Sequence, residues 1–401
     1  MSGDRPISRL QPAALNTPNV RSLRRTAATR GVRLITAKAE TGVSDRLVSI
    51  DQLRAYAIFG MVIVNAKAFF LDPVQSTLAG SPFAEYFGLL LHQLSHHDAG
   101  FTYADSIAPL FVFVVGMAMR LSWLKRTARA HDPWPVRRSM AKRFSLLVLI
   151  AFAIYPGWLW DALMDIGLAG LLAIMLIDKR PGVRAAAAFA FVAAFQCIHS
   201  LTSYGNWSIH GRFSPTNPEY RPLLVELLPL SKALFRTSLN GGPLGPLSWV
   251  MMLLFGANAY DWLASGNRRR FIGACLVWGI SLCSLALILQ MEWPGVKALW
   301  PLSARTMAAP FPLWASGLCF LQLLIFHLLC DRLGVVIPGF AAVALNPLVI
   351  YIAQHLILDV ADRFTPERLS LAEGVTGLAL FWTFFAFAAW FMKKKEIYVK
   401  L

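Results

Sequence analysis

Ten apolar runs divide the 401-residue chain, at about residues 53–71, 101–122, 144–157, 165–178, 185–201, 247–263, 271–290, 311–330, 335–354 and 370–392. A helix needs about 20 mostly apolar residues to cross the hydrocarbon of a bilayer, and fewer where its ends snorkel. The pattern therefore predicts an all-α, polytopic membrane helix bundle of about 10 transmembrane helices, the third and fourth being the shortest. The charged share is only 15%, where a soluble domain carries about 25%.

A net charge of +16 raises the question of nucleic acid. The cations lie in short segments between apolar runs rather than in one patch with interleaved aromatics, so the expected partner is the lipid bilayer and no nucleic acid is expected. If the first helix runs outward, the loops on one side hold Arg120 to Arg143, Lys179, Arg184, Arg268 to Arg270 and Arg332, with Lys393 to Lys395 beyond the last helix. The other side is sparser, with Arg305 and Arg363 among its cations. Cationic loops stay inside, which puts both termini in the cytoplasm of an integral membrane protein, expected in a bacterial inner membrane.

Residues 1–45 are basic and lack the apolar core of a signal peptide. They are expected to form a disordered cytoplasmic tail ahead of a transmembrane domain over 46–401. The longest external connection, 202–246, ends in the breaker-rich run N-G-G-P-L-G-P and is expected to lie over the outer mouth. The five cysteines sit in or at the end of apolar runs with no C-x-x-C pair, so neither a disulfide framework nor a zinc site is expected. No H-E-x-x-H or phosphate-binding glycine loop occurs either, so no metal is expected.

The polar residues with most chemistry precede the second run. His96, His97, Asp98 and Asp105 fall within S-H-H-D-A-G-F-T-Y-A-D, just before apolar Ile107 to Met119. Ionisable groups at a membrane mouth are costly unless paired or hydrated, and so mark a candidate site. A neutral imidazole suits proton removal from an amine or hydroxyl near neutral pH, and a neighbouring carboxylate fixes its tautomer. The competing reading is that Asp105 caps a helix while the histidines sit among headgroups. Thr102 and Asp105, three apart, would line one cavity, and His92 and His96, four apart, would share a face of an interfacial helix over 83–97. Pro109 should kink the second helix or end its first turn. Asn65 emerges on the same outer side, where His355, following the ninth run, would add to the polar lining. Asp51 and Arg54 can pair across one turn at the cytoplasmic start of the first helix.

Two segments carry a resemblance. R-L-V-S-I-D-Q-L-R-A with M-V-I-V-N, residues 46–55 and 61–65, and G-F-T-Y-A-D-S-I-A-P-L-F-V-F-V-V-G, residues 100–116, are similar to motifs of the heparan-α-glucosaminide N-acetyltransferase family of polytopic acyltransferases and its bacterial relatives. Fainter echoes follow in order: M-D-I-G-L-A-G-L-L at 164–172, a small-residue turn and helix at 241–257, L-W-P-L-S at 299–303, N-P-L-V-I-Y at 346–351 and a C-terminal K-E-I-Y-V-K-L.

The resemblance implies a membrane enzyme that takes acetyl from cytoplasmic acetyl-CoA and delivers it to a sugar or glycan on the far side. It points to His96, with His97 beside it, as the essential histidine ahead of the Gly-x-Thr-x-Ala-Asp helix. Two departures accompany it: the family's His-x-x-Trp-x-Gly spacing falls on Ser95, with Asp98 in place of the tryptophan, and the glycine after Arg54 is here Ala55. The resulting expectation is a transmembrane acyltransferase with His96 or His97 as base or nucleophile and Asp105 as orienting carboxylate. Asn65, Asp98, Thr102 and His355 would contact the acceptor, the cations Arg54, Arg120 and Arg143 would hold the donor's phosphate end with Asp51 among the donor-binding residues, and a homodimer is compatible with the architecture. The alternative from another class is a transporter or flippase for a small anionic or lipid-linked substrate; against it, no inverted repeats or paired broken helices are visible.

Overall fold

The computed structural model describes residues 47–130, 132–154, 159–210, 239–292, 294–295, 300–361 and 363–399. The expected tail over 1–45 and residues 211–238 of the expected external connection lie outside them. No strand occurs among the described residues. The chain opens with α1 (Val48–Phe70), the short α2 (Asp72–Leu78) and α3 (Ala84–Gln93). Then follow α4 (Tyr103–Thr127), α5 (Trp134–Ile154), α6 (Ala162–Ile174), α7 (Pro181–Leu201) and α8 (Tyr204–His210). After a kinked turn at Leu239–Leu244, where Asn240, Gly241 and Gly242 have positive φ, come α9 (Pro246–Ala264), α10 (Arg268–Gln290), α11 (Pro310–Phe326), α12 (Phe340–Val343), α13 (Pro347–Ala361) and α14 (Leu371–Lys394).

Each of the ten expected runs meets a helix. Among the described residues six helices are long and apolar enough to cross a membrane: α1, α4, α7, α10, α11 with its extension to Arg332, and α14. Helices α6 and α13 are shorter and apolar. The ninth run, 335–354, is not one helix as its composition suggests. It breaks between α12 and α13 because proline disfavours the helical conformation of the residue before it, here Asn346, while Pro347 itself suits a first helical turn. The Asn346 side chain then binds the chain's end, donating to the Ile397 carbonyl at 3.0 Å and accepting from Val399 N–H at 2.9 Å. The third run also differs. Helix α5 begins at Trp134, so Arg137, Arg138, Lys142 and Arg143 are helical rather than part of a basic loop.

The centre of the bundle is α9, buried continuously from Ser248 to Tyr260. A helix that is apolar all round has no face to give to solvent and belongs inside. It meets α4 through two glycines: a Cβ on Gly116 would fall 2.0 Å from the Leu253 carbonyl oxygen, and one on Gly256 would fall 2.0 Å from that of Phe113. Small residues let helix backbones approach this closely where no hydrophobic driving force separates helix from lipid. Gly256→Ala is expected to force the pair apart at about 1–3 kcal/mol and to lower the unfolding temperature in detergent; a variant melting with the wild type would contradict this contact. Helices α10 and α11 repeat the device, since a Cβ on Gly317 would meet the Gly279 carbonyl oxygen at 2.7 Å. At the periphery, α14 leaves Leu380, Phe384, Phe387 and Trp390 exposed, a face suited to lipid.

The contacts order the bundle into two ends. At one end, which is rich in arginine, α4, α7 and α9 are joined by ions. The Arg184 side chain is wholly buried and donates from Nε to Asn258 Oδ1 at 2.8 Å, from Nη1 to the Ile177 carbonyl at 3.1 Å and from Nη2 to Asp261. Arg120 reaches the same Asp261 through Nε at 2.8 Å and the same carbonyl through Nη1 at 2.7 Å. The start of α1 is tied to a π-helical turn at His327–Arg332, where Asp331 accepts Ser49 N–H at 3.0 Å and lies 2.8 Å from His327 Nδ1. The opposite end is the mouth.

Candidate functional site

A cavity of about 180 Å³ opens at the mouth between α1, α4 and α13, the start of α6, the turn at Leu239 and Asn240, and two loops. Helix α1 contributes Asn65, the loop after α3 contributes His96 to Asp98, and α13 contributes Tyr351 and His355. Asp161, Asn240 and Arg305 complete the polar lining.

The His96 loop is shaped by its own backbone. Gly100 adopts a φ of 98°, which favours glycine, and its N–H donates to the Leu302 carbonyl at 2.8 Å. Thr102 is then extended as the N-cap of α4, and Asp105, in the first turn, accepts the Thr102 N–H through Oδ2 at 3.0 Å. That leaves Oδ1 of Asp105 facing His96 Nδ1 at 2.6 Å. The carboxylate is fully buried, whereas the His96 side chain is 60% exposed toward the mouth. A carboxylate only accepts, so the proton of neutral His96 resides on Nδ1 and the lone pair on Nε2. Pro109 lies within α4 without ending it, and its missing N–H cannot serve the Asp105 carbonyl four residues back.

Helix α3 stops at Gln93, so His92 and His96 do not share a helical face as their spacing suggests. His92 instead stacks on His97 with ring centres 4.1 Å apart, and His97 Nε2 lies 3.2 Å from the His92 carbonyl oxygen. Thr102 does not line the cavity either. It is 4% exposed, and its hydroxyl donates to the Ser95 carbonyl at 2.7 Å, which makes it a fastener of the histidine loop. Asp98 sits at the rim, paired with Arg305 at 2.7 Å.

Across the cavity His355 donates from Nδ1 to the Tyr351 carbonyl at 2.9 Å, so its Nε2 accepts from the Asn65 amide, 3.5 Å away. The Tyr351 hydroxyl donates to Asp161, the N-cap of α6. Asn240, held at a φ of 53°, donates to the Trp160 carbonyl at 3.0 Å, and the next residue's N–H donates to the Arg305 carbonyl at 2.8 Å. Behind this strap the buried Tyr204 hydroxyl donates to the Gly241 carbonyl, and burial pushes its phenol well above the ordinary value, keeping it a donor. A second, apolar cavity of about 10 Å³ shares Met61, Ala162 and Tyr351 with the first and adds Phe111, Leu163, Ile166 and Leu348. Phe111, Ile166 and Leu348 lie three or four residues along their helices from Ala108, Ala162 and Tyr351 of the larger cavity, and Leu163 adjoins Ala162.

The residues expected to hold a donor are at the other end, in three separate settings. Asp51 and Arg54 approach at 3.8 Å, with Arg54 Nη1 also 3.4 Å from the Ala344 carbonyl. Arg120 is committed to Asp261 and Ile177, and Arg143 is exposed on α5.

Arg305, Asp161, Asn240 and Tyr351 were not singled out by the sequence. Tyr351 ends the N-P-L-V-I-Y echo, Arg305 follows L-W-P-L-S by two residues, and Asp161 precedes M-D-I-G by three. Segments that resemble a family while lying far apart in the chain were the available signal.

Apolar helices of membrane-spanning length, packed through glycines around a polar mouth, define a helical integral membrane protein. Within it, residues 46–235 match the family described as heparan-alpha-glucosaminide N-acetyltransferase, catalytic, a similarity over just under half of the chain that supports membership of that family. The match includes Asn65, His96, Asp105 and Asp161, while Arg305, Tyr351 and His355 come from beyond it. No curated protein matches the chain.

Proposed function

We propose that the protein transfers an acetyl group from cytoplasmic acetyl-CoA to an amino or hydroxyl group of an extracytoplasmic sugar or glycan, with the reaction centred on His96. In this reading ten helices cross the membrane, both termini are cytoplasmic, the arginine-rich end faces the cytoplasm of a bacterial inner membrane, and the mouth faces out. The observation that carries the reading is the 2.6 Å contact of His96 Nδ1 with buried Asp105, which leaves Nε2 as a proton acceptor beside an open cavity.

His96 Nε2 removes a proton from the acceptor as its nitrogen or oxygen attacks the thioester carbonyl. The new bond to the acceptor forms, the carbon–sulfur bond breaks, and the imidazolium returns the proton to the departing thiolate. Asp105 stabilises the imidazolium in between. The apolar cavity beneath the mouth supports approach of the acyl end from within the bundle, while Arg54 and Arg143 at the opposite end are suited to the donor's phosphates.

The test is release of CoA thiol from acetyl-CoA by the detergent-purified protein, with and without a panel of amino sugars and glycan fragments. Release that requires an acceptor supports the proposal; no release with acetyl-CoA or longer acyl-CoAs, from folded protein, would reject it in favour of transport. His97→Ala is expected to lose less than about tenfold in this assay, because His97 rests on His92 rather than on a carboxylate. A larger loss would move the base from His96 to His97.

A further inference from the structure

Among the described residues lining the mouth cavity, Arg305 carries the one permanent positive charge. Its backbone is fixed: its carbonyl accepts Gly241 N–H at 2.8 Å, and the turn around it closes with Met307 N–H on the Ser303 carbonyl at 3.1 Å. Its side chain, by contrast, is engaged by Asp98, whose own side chain is 74% exposed while Arg305 is 39% exposed. An ion pair this hydrated contributes little and is readily exchanged. A guanidinium presents its donors as a planar fork that fits the oxygens of a carboxylate, sulfate or phosphate. The Asp98 carboxylate therefore marks where such an anion would sit, two residues along the loop from His96.

We propose that Arg305 is a specificity residue that binds an anionic substituent of the acceptor, exchanging Asp98 for it and so setting the acceptor's nucleophile against His96. This rests on the transferase reading above and narrows the acceptor to sugars bearing a carboxylate, sulfate or phosphate. The neighbouring wall agrees in kind. Asp161, held by Tyr351, and the histidines offer no second permanent cation, so an anion entering the cavity has one place to pair. Asp98 then serves as the chain's own stand-in for the acceptor's anion, keeping Arg305 extended over the mouth.

The experiment compares the detergent-purified protein with Arg305→Gln, Arg305→Lys and Asp98→Asn. The acceptors are glucosamine, glucosamine 6-phosphate, glucosamine 6-sulfate and muramic acid, which separate phosphate, sulfate and carboxylate from a neutral substituent. The quantity read is the ratio of kcat/KM for each anionic acceptor to that for glucosamine. Arg305→Gln should lower this ratio about tenfold, mainly through KM, the loss expected for a charge-assisted hydrogen bond. Arg305→Lys should lower it less, and Asp98→Asn should raise it by removing the competing carboxylate. Equal losses for neutral and anionic acceptors in Arg305→Gln would overturn the proposal, as would an unchanged ratio in folded Asp98→Asn.

Binding of the same four sugars is also measured by thermal shift without acetyl-CoA, since a ligand of the native state raises its melting temperature. Stabilisation by anionic sugars that is lost in Arg305→Gln supports the site even if no transfer occurs, in which case the transferase reading alone fails. Absence of any preference for anionic sugars in both assays rejects the site.

Discussion

Asp105→Asn is expected, on the proposed transferase reading, to reduce acetyl transfer by about 10²–10⁴-fold, nearly as much as His96→Ala, although in that reading Asp105 does not touch the acceptor. The introduced amide would keep its one oxygen for the Thr102 N–H, which Asp105 now binds at 3.0 Å, and so turn its nitrogen toward His96. An amide nitrogen donates, whereas Oδ1 of Asp105 accepts at 2.6 Å. His96 would then have to offer its Nδ1 lone pair, leaving the proton on Nε2, where the acceptor's proton needs to go. The pair acts as a unit, so Asp105→Asn and His96→Ala combined should cost little more than either alone. Single-turnover acetyl transfer measures the loss, and elution as a monodisperse species establishes that the variant folds. Asp105→Asn retaining activity within a few-fold of wild type would remove the orienting role of this carboxylate.

The second large effect concerns stability. Asp261→Ala would leave Arg184 and Arg120 without their shared carboxylate, and Arg184 is wholly buried. Breaking a buried pair from one side costs about 3–5 kcal/mol, and the 17% exposure of Asp261 places the expectation at the lower end. Thermal unfolding in detergent reads this directly. Arg184→Met should be milder than Asp261→Ala, because it withdraws one buried charge, leaves Arg120 its partner, and fills the space with an apolar chain. The reverse ranking would show that Arg184 matters chiefly through its bonds to Asn258 and the Ile177 carbonyl.

Helix content and the location of the mouth were legible in the sequence because both are local. Runs such as 271–290 need only their own length to be read as helices, and the Thr102–Asp105 cap lies within four residues. The break at Asn346 was missed because the apolar run continues through it, although Pro347 carries the physical signal. His92 and His96 were misread as one face because nothing local shows that α3 ends at Gln93. Arg305, Asp161 and Tyr351 were beyond reach for a different reason. They enter the cavity through contacts between distant parts of the chain, 190 residues apart for Tyr351 and Asp161 and further for Arg305 and Asp98, and periodicity carries no information at that separation. Arg120 shows the converse: a residue of suitable charge at the expected end, whose guanidinium is already held by partners that only the folded chain reveals.

Helix α1 begins where Ser49 meets Asp331 and passes Asn65 at the cavity. Arg54 and Asn65 are carried on the same unbroken helix, eleven residues apart, which is about 16 Å along its axis. Under the proposed reading this makes α1 a ruler. A donor anchored by its phosphates near Arg54 must place its reactive carbon a set distance away, so arm length becomes a criterion of choice beside chemistry. Acetyl phosphate, whose anion and acyl group are adjacent, cannot satisfy both marks at once, whereas a thioester on a long flexible arm can.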